Sequence, residues 1–254
     1  KIFIMTNKYM YFIANWKMFG DIKSLNSINN VIKFSKSSKN KKFKLIYCPP
    51  YTLLNTFYKK IQNSKIILGA QNCHHEESSG PYTGSISSKM LKKIGVKYVI
   101  IGHSENRSTG ETDDDINKKI KSSIKNNLNI IFCFGETLKQ KRKKDTNRVL
   151  IRQISRALKG VKEKDKILFA YEPIWSIGTG LIPKSKDLNQ TINFVKNKLK
   201  NNFRLKFPKV LYGGSVNPKN IGNLKKITNL DGFLIGGASQ NHKKFIDIVK
   251  KTYN

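Results

Sequence analysis

Three residues able to move protons, Glu172, His103 and Lys17, each stand directly after a short apolar run. Together they could shift a proton between two carbons beside a carbonyl group. Glu172 follows Ile167–Tyr171 and precedes Pro173. In a partly dry pocket, desolvation raises a carboxyl pKa and makes the group a usable general base. A strand-end carboxylate can equally cap a neighbouring helix. His103 ends a second apolar run, and Ser104 after it is placed to cap a helix whose N-terminal amides disfavour an imidazolium. A neutral imidazole can donate a hydrogen bond to a carbonyl oxygen, although a single His is often structural. Lys17 offers a fixed positive charge to a phosphate or a developing enolate, and Asn15, two residues earlier, shares its strand face. Lys is so common on this chain that only the position of Lys17 is informative.

Two glycine pairs, Gly213-Gly214 and Gly236-Gly237, follow the last two apolar runs. Glycine lets backbone amides approach an anion closely, and Ser215 extends the first pair. Each pair alone is also explained by a tight turn; two in successive loops favour phosphate. The segment Pro173-Ile174-Trp175-Ser176-Ile177-Gly178-Thr179-Gly180 has a stiff start, an apolar middle and a flexible end. That composition suits a hinged lid over the site, or else an ordinary loop with a packed Trp. Cys73-His74-His75-Glu76-Glu77 invites a metal reading, but its composition is that of an exposed loop, and no metal site is expected.

These residues need a frame that brings loop after loop to one face. Eight runs rich in β-branched and aromatic residues supply it: Tyr11–Asn15, Lys44–Tyr47, Ile66–Ala70, Tyr98–Ile101, Asn129–Phe134, Ile167–Tyr171, Lys209–Tyr212 and Gly232–Ile235. Between them apolar residues recur at helical spacing, as in Leu188, Ile192, Val195 and Leu199 or Ile246 and Val249. Strand–helix alternation argues for parallel βαβ units, and nearly all-apolar strands argue that both faces are covered. Eight such units predict a single-domain α/β protein, a closed (β/α)8 barrel of parallel strands spanning 11–254, with residues 1–10 as a short extension. In such barrels the loops after the strands share the C-terminal face, where active sites lie. The charged run Lys139–Lys144 reads as a solvated helix face without function.

The chain has 254 residues and a net charge of +33, from 49 Lys and Arg against 16 Asp and Glu. Such basicity raises a nucleic-acid or anionic-membrane partner. The lysines recur throughout instead of forming a stripe interleaved with aromatics, so no specific nucleic acid is expected. No apolar run approaches the ~18 residues of a membrane span, and Ile2–Met5 is too short for a signal-peptide core. Three cysteines, Cys48, Cys73 and Cys133, have neither metal-ligand spacing nor an even count. A cytoplasmic location follows as the expectation.

Taken together, Ala14–Met18, Ile101–Glu105, Ala170–Trp175, Ile177–Gly180, Tyr212–Val216 and Gly236–Ser239 closely resemble the triosephosphate isomerase family. Lesser matches are Gly69–Cys73 and Cys133–Thr137, and the resemblance runs in order from about Tyr11 to the C-terminus. It implies a TIM barrel that interconverts dihydroxyacetone phosphate and glyceraldehyde 3-phosphate through an enediolate, in glycolysis and gluconeogenesis, with no cofactor. Glu172 would be the base, His103 the neutral electrophile, and Lys17 and Asn15 electrostatic helpers. Amides of Gly178, Ser215, Gly236 and Gly237 would hold the phosphate. The resemblance also implies a homodimer in which the loop around Thr83 inserts into a neighbour beside Glu105. Asn106 and Ser85 stand where the family has an Arg and a Glu that pair across that interface, so both ends of one ion pair are absent. Leu181-Ile182-Pro183 replaces the usual Lys-Thr-Ala at the far hinge of the lid. A phosphate-binding aldolase would need a Schiff-base lysine inside a strand, and none suits. A nucleic-acid binder, or a decayed enzyme kept for surface binding, would leave the ordered Glu172 and His103 without a purpose.

Overall fold

The computed structural model describes residues 9–38 and 42–253. Eight strands, Met10–Asn15 (β1), Phe43–Cys48 (β2), Ile66–Ala70 (β3), Tyr98–Ile101 (β4), Asn129–Phe134 (β5), Ile167–Tyr171 (β6), Lys209–Tyr212 (β7) and Gly232–Ile235 (β8), form a closed barrel. Each runs parallel to its neighbours, and β8 closes on β1, with Ile13 opposite both Ile46 and Leu234. The expected closed (β/α)8 barrel of parallel strands is what the chain forms. Of the expected extension, 1–10, the first eight residues lie outside the described ones; Met10 is already the first residue of β1, opposite Phe43.

Between and after the strands lie α1 (Ile28–Ser37), α2 (Leu54–Ile61), α3 (Ser88–Lys93), α4 (Ser104–Ser108), α5 (Asp113–Lys125), α6 (Leu138–Arg142), α7 (Thr146–Ala157), α8 (Ser185–Asn201), α9 (Ile221–Leu224) and α10 (His242–Tyr253). Their starts are written locally. Thr112 and Asp115 form a reciprocal capping box on α5, and Asp113, Asp114 and Asp115 complement its N-terminal dipole. The stripe Leu188, Ile192, Val195 and Leu199 is the buried face of α8. No helix among the described residues is long and apolar enough to cross a membrane.

Successive strand residues point alternately inward and outward. Ile13, Ile46, Cys48, Ile100, Ile131, Cys133, Leu168, Ala170, Leu211 and Leu234 pack as one buried cluster that fills the barrel. Their neighbours in sequence, such as Phe12, Tyr47, Val99, Phe132, Phe169 and Phe233, pack against the helices in a second, larger cluster. Covering both faces is why the strands read as continuous apolar runs. Within the outer layer Tyr47 is fully buried between Trp16, Phe57 and Phe245, and its hydroxyl has no partner among the described residues. An unmet buried hydroxyl costs ~1–3 kcal/mol. Tyr47→Phe is therefore expected to leave turnover unchanged and raise the unfolding free energy by about 1 kcal/mol. A denaturant titration in which the variant is less stable would show that the hydroxyl is satisfied in solution.

Candidate active site

The inward rows of the barrel continue into the site. On β6 the inward residues Leu168 and Ala170 are followed by Glu172, and on β1 Ile13 is followed by Asn15. Glu172 is 2 % exposed, and its Oε1 has no hydrogen-bond partner among the described residues. Burial pushes its carboxyl pKa above the ordinary value; the His103 ring, the Cys133 thiol, the Ser104 amide and Lys17 pull the other way. Two glycines make the room it occupies. A Cβ on Gly135 would lie 1.8 Å from the Glu172 carbonyl oxygen, and one on Gly213 would lie 2.7 Å from Glu172 Cγ. Gly213 thus accommodates the carboxylate, a closer demand than the anion approach its sequence suggested.

His103 is itself the N-cap of α4, where the sequence pointed to Ser104. Its Nδ1 accepts the Glu105 amide N–H at 3.2 Å. Glu105 Oε2 is farther from the same atom, at 3.6 Å, and Glu105 is drawn instead to the Lys17 ammonium. A nitrogen that accepts an amide N–H carries no proton, so the hydrogen-bond pattern assigns the ring proton of the neutral tautomer to Nε2. That nitrogen faces Glu172 Oε1 at 3.5 Å. The barrel therefore opposes a dry carboxylate to an imidazole N–H.

Lys17 adopts φ 56°, in the left-handed region, where a residue with a Cβ is strained by roughly 1–2 kcal/mol. Asn15 Oδ1 accepts the Lys17 N–H at 3.1 Å, and Gln71 Nε2 donates to Lys17 O at 2.7 Å and to Cys48 O at 2.9 Å. Asn15 thus fixes the Lys17 backbone as well as facing the cavity. Such strain persists where surrounding structure holds it.

Asn15, Lys17, His103, Glu172, Gly178, Ser215, Gly236 and Gly237 line one cavity of about 610 Å³ at the C-terminal end of the barrel. Leu234 forms part of its floor, and Lys219 and Lys244 stand at its margin. Of the segment expected to form a lid, Ile177, Gly178 and Gly180 line the cavity, and Pro173, Ile174, Trp175, Ser176 and Thr179 do not. Trp175 Nε1 donates to Glu136 Oε1 at 2.9 Å, and the Tyr171 hydroxyl donates to the same carboxylate. Glu136 is 1 % exposed, and burial raises its pKa against those two hydrogen bonds. Lys141 Nζ sits 3.5 Å from the Trp175 ring centroid, a cation–π contact. The run Lys139–Lys144, read as a solvated face, thus has one member stacked on Trp175. At the far end Thr179 Oγ1 donates to Trp175 O, accepts from the Leu181 N–H, and precedes Gly180 at φ 77°.

Thr83 and Glu105 do not line the cavity. Thr83 lies in the exposed loop after β3, and Glu105 is on α4, exposed, beside Lys17. The described residues hold no group of three or more His, Cys, Asp or Glu placed to bind a metal ion, and His74 and His75 instead stack on one another. Cys48, Cys73 and Cys133 are free and buried. Sequence reasoning passed over Gln71, Glu136 and Gly135, which support the site without touching the cavity's open space; only the short Gly69–Cys73 and Cys133–Thr137 matches pointed toward them.

The triosephosphate isomerase family model matches residues 10–252. The triosephosphate isomerase of Thermoanaerobacter pseudethanolicus is 41% identical over 242 residues, covering 93% of this chain and 96% of that one. That of Thermodesulfovibrio yellowstonii is 39% identical over 94% of this chain and 98% of its own. Among solved structures, triosephosphate isomerase from Bartonella henselae superposes with a TM-score of 0.88 at 33% identity, covering 97% of this chain and all of that one. The chain belongs to the triosephosphate isomerase family and is an isomerase enzyme.

Proposed function

We propose that the chain interconverts dihydroxyacetone phosphate and D-glyceraldehyde 3-phosphate by Glu172-mediated proton transfer through an enediolate. The observation that carries this reading is the buried, unpartnered Glu172 Oε1, 3.5 Å from His103 Nε2. The Glu172 carboxylate takes a proton from the carbon beside the carbonyl, and the electron pair moves onto the carbonyl oxygen. His103 Nε2–H donates to that oxygen, and Lys17 with Asn15 balances its developing charge. Glu172 then returns its proton to the neighbouring carbon while a proton moves between the two oxygens. Amides of Gly178, Ser215, Gly236 and Gly237 hold the phosphate. The lid, Pro173 to Gly180, closes to exclude water, a role for which this family's lid is a standing example. No step calls for a cofactor or metal.

A coupled isomerase assay on the purified chain tests the reading. Turnover of both triose phosphates supports it, and a folded protein that turns over neither overturns it. The proposed setting is glycolysis and gluconeogenesis in the cytoplasm, with the barrel from Met10 onward as the catalytic unit. We further infer a homodimer through the loop around Thr83, docking beside Glu105 of a second copy. Its support is the apolar side chains left exposed on the loops after β1 to β3: Met18 is 94% and Ile22 72% exposed, and Phe19, Tyr51 and Tyr82 are exposed as well. Sedimentation at micromolar concentration should show a dimer; a fully active monomer would refute this.

A further inference from the structure

We propose that the margin of the active-site cavity is a second anion subsite. Lys219 and Lys244 there take the outer phosphoryl group of a diphosphate, whose inner group sits on the Ser215, Gly236 and Gly237 amides. The proposal rests on the assignment of those amides to phosphate given above. A cavity of about 610 Å³ falls among those that hold drug-sized ligands. A triose phosphate, with about ten non-hydrogen atoms, is smaller than such ligands and leaves part of the space to another group. The lining is also unbalanced in charge: it holds three ammonium groups, from Lys17, Lys219 and Lys244, against a single carboxylate, Glu172. Lys17 is drawn to Glu105, whereas neither Lys219 nor Lys244 has a carboxylate partner among the described residues.

Both lysines stand on fixed backbone, and both continue the loops that carry the phosphate amides. Lys219 follows Ser215 in the loop after β7. Asn217 Oδ1 accepts the Lys219 N–H at 2.9 Å, Asn220 Oδ1 accepts the Asn217 N–H at 2.9 Å, and Asn220 Nδ2 donates to Ser215 O at 3.0 Å. The segment that presents the Ser215 amide thus also presents Lys219. Lys244 follows Gly236 and Gly237 and lies in the first turn of α10, where Asn241 Oδ1 accepts its N–H at 3.1 Å. Glu172 is buried at the end of β6, while both lysines are exposed. In the proposed reaction the carbon chain runs from the amides toward Glu172, and the lysines lie on the outer side. A second phosphoryl group that meets them must therefore be bonded to the first on the side away from the carbons. That is the arrangement of a diphosphate and not of a sugar bisphosphate, whose carbon chain separates its two groups. A Lys ammonium binds phosphoryl oxygens as a point charge, so neither side chain needs a buried or rigid setting.

Competitive inhibition of turnover by inorganic pyrophosphate, measured beside orthophosphate at constant ionic strength, tests the subsite. Pyrophosphate should inhibit the wild type more tightly than orthophosphate by about three- to tenfold, the factor that two exposed ion pairs supply. In the double variant Lys219→Met/Lys244→Met that advantage should disappear, with the variant's own orthophosphate inhibition as the reference. Lys33→Met/Lys250→Met removes the same charge from a groove between α1 and α10, outside the cavity, and should keep the advantage. ADP, the same group carried on a nucleoside, separates the free anion from its ester. Inhibition by both with the same lysine dependence extends the subsite to the ester, and inhibition by pyrophosphate alone confines it to the free anion. An advantage that Lys219→Met/Lys244→Met retains, or that Lys33→Met/Lys250→Met loses equally, overturns the subsite and leaves the net charge as the cause. Pyrophosphate inhibition that is not competitive with substrate overturns it as well. Orthophosphate that fails to inhibit the wild type overturns the assignment of the phosphate amides, and the subsite with it.

Discussion

Glu172→Ala lowers kcat by about 10²–10⁴, the contribution of a positioned general base, while KM changes only a few-fold. The asymmetry follows from the geometry. On the proposed reading Glu172 meets the reacting carbons, whereas the amides assigned to phosphate are backbone groups, at Gly178 in the same loop and at Ser215, Gly236 and Gly237 in others, and survive the change. The acid limb of the wild-type pH–rate profile should lie above the ordinary carboxylate value, because desolvation raises the Glu172 pKa. Stability should move the opposite way to activity. A carboxyl whose folded pKa is raised contributes stability that is fully present below its unfolded pKa, about 4.3, and is lost as pH rises through the folded pKa. At neutral pH the ionised, buried Glu172 is therefore a burden on the fold. The isosteric Glu172→Gln should be as inactive as the Ala variant, and its stability advantage over wild type should grow as pH rises from 4 to 7. Undiminished turnover in either variant would remove Glu172 from the role of base, and a stability gap that shrinks with rising pH would contradict the account of its burial.

The barrel itself was legible in the sequence because one physical cause, burial of both strand faces, writes itself into every strand. Six of the eight strands carry the predicted bounds, and the other two differ only at their ends, where Met10, Phe43 and Cys48 add terminal pairs. Glu172, His103 and Lys17 were legible because each follows an apolar run in a fold whose strand ends share one face. Less visible were groups whose role depends on contacts far apart in the chain. Gln71 bridges Lys17 and Cys48 from the loop after β3, and Glu136 joins Tyr171 and Trp175 from the loop after β5. Neither spacing nor residue type marks an amide or a carboxylate as the partner of a backbone or ring 23 or more residues away. The same limit hid Lys141, one lysine in a charged run until α6 sets it on Trp175. It also hid the strain at Lys17, since a left-handed φ leaves no trace in a lysine-rich sequence.

Lys17→Met lowers kcat/KM by about 10²–10³, the loss typical of removing one preorganised group aimed at a developing oxyanion, and KM rises with it. The alternative source of attraction is the +33 net charge, which would draw an anionic substrate whichever lysine is lost. Lys219 and Lys244 separate the two explanations, since both line the same cavity but are exposed and without a carboxylate partner among the described residues. Lys244 is solvent-exposed, where water and salt weaken a charge's interactions, so Lys244→Met should change kcat/KM by less than about twofold. The fold should tolerate Lys17→Met. The ion pair it removes has Glu105 56% exposed, and such surface pairs contribute only ~0–1 kcal/mol. Met keeps the same left-handed strain at φ 56° that Lys bears. Lys17→Gly relieves that strain and should be more stable than Lys17→Met by about 1 kcal/mol, yet equally impaired in turnover. Equal losses from Lys17→Met and Lys244→Met would show that the field of the whole surface acts on the substrate, whereas a large loss confined to position 17 means that the strained backbone holds one ammonium where the charge develops.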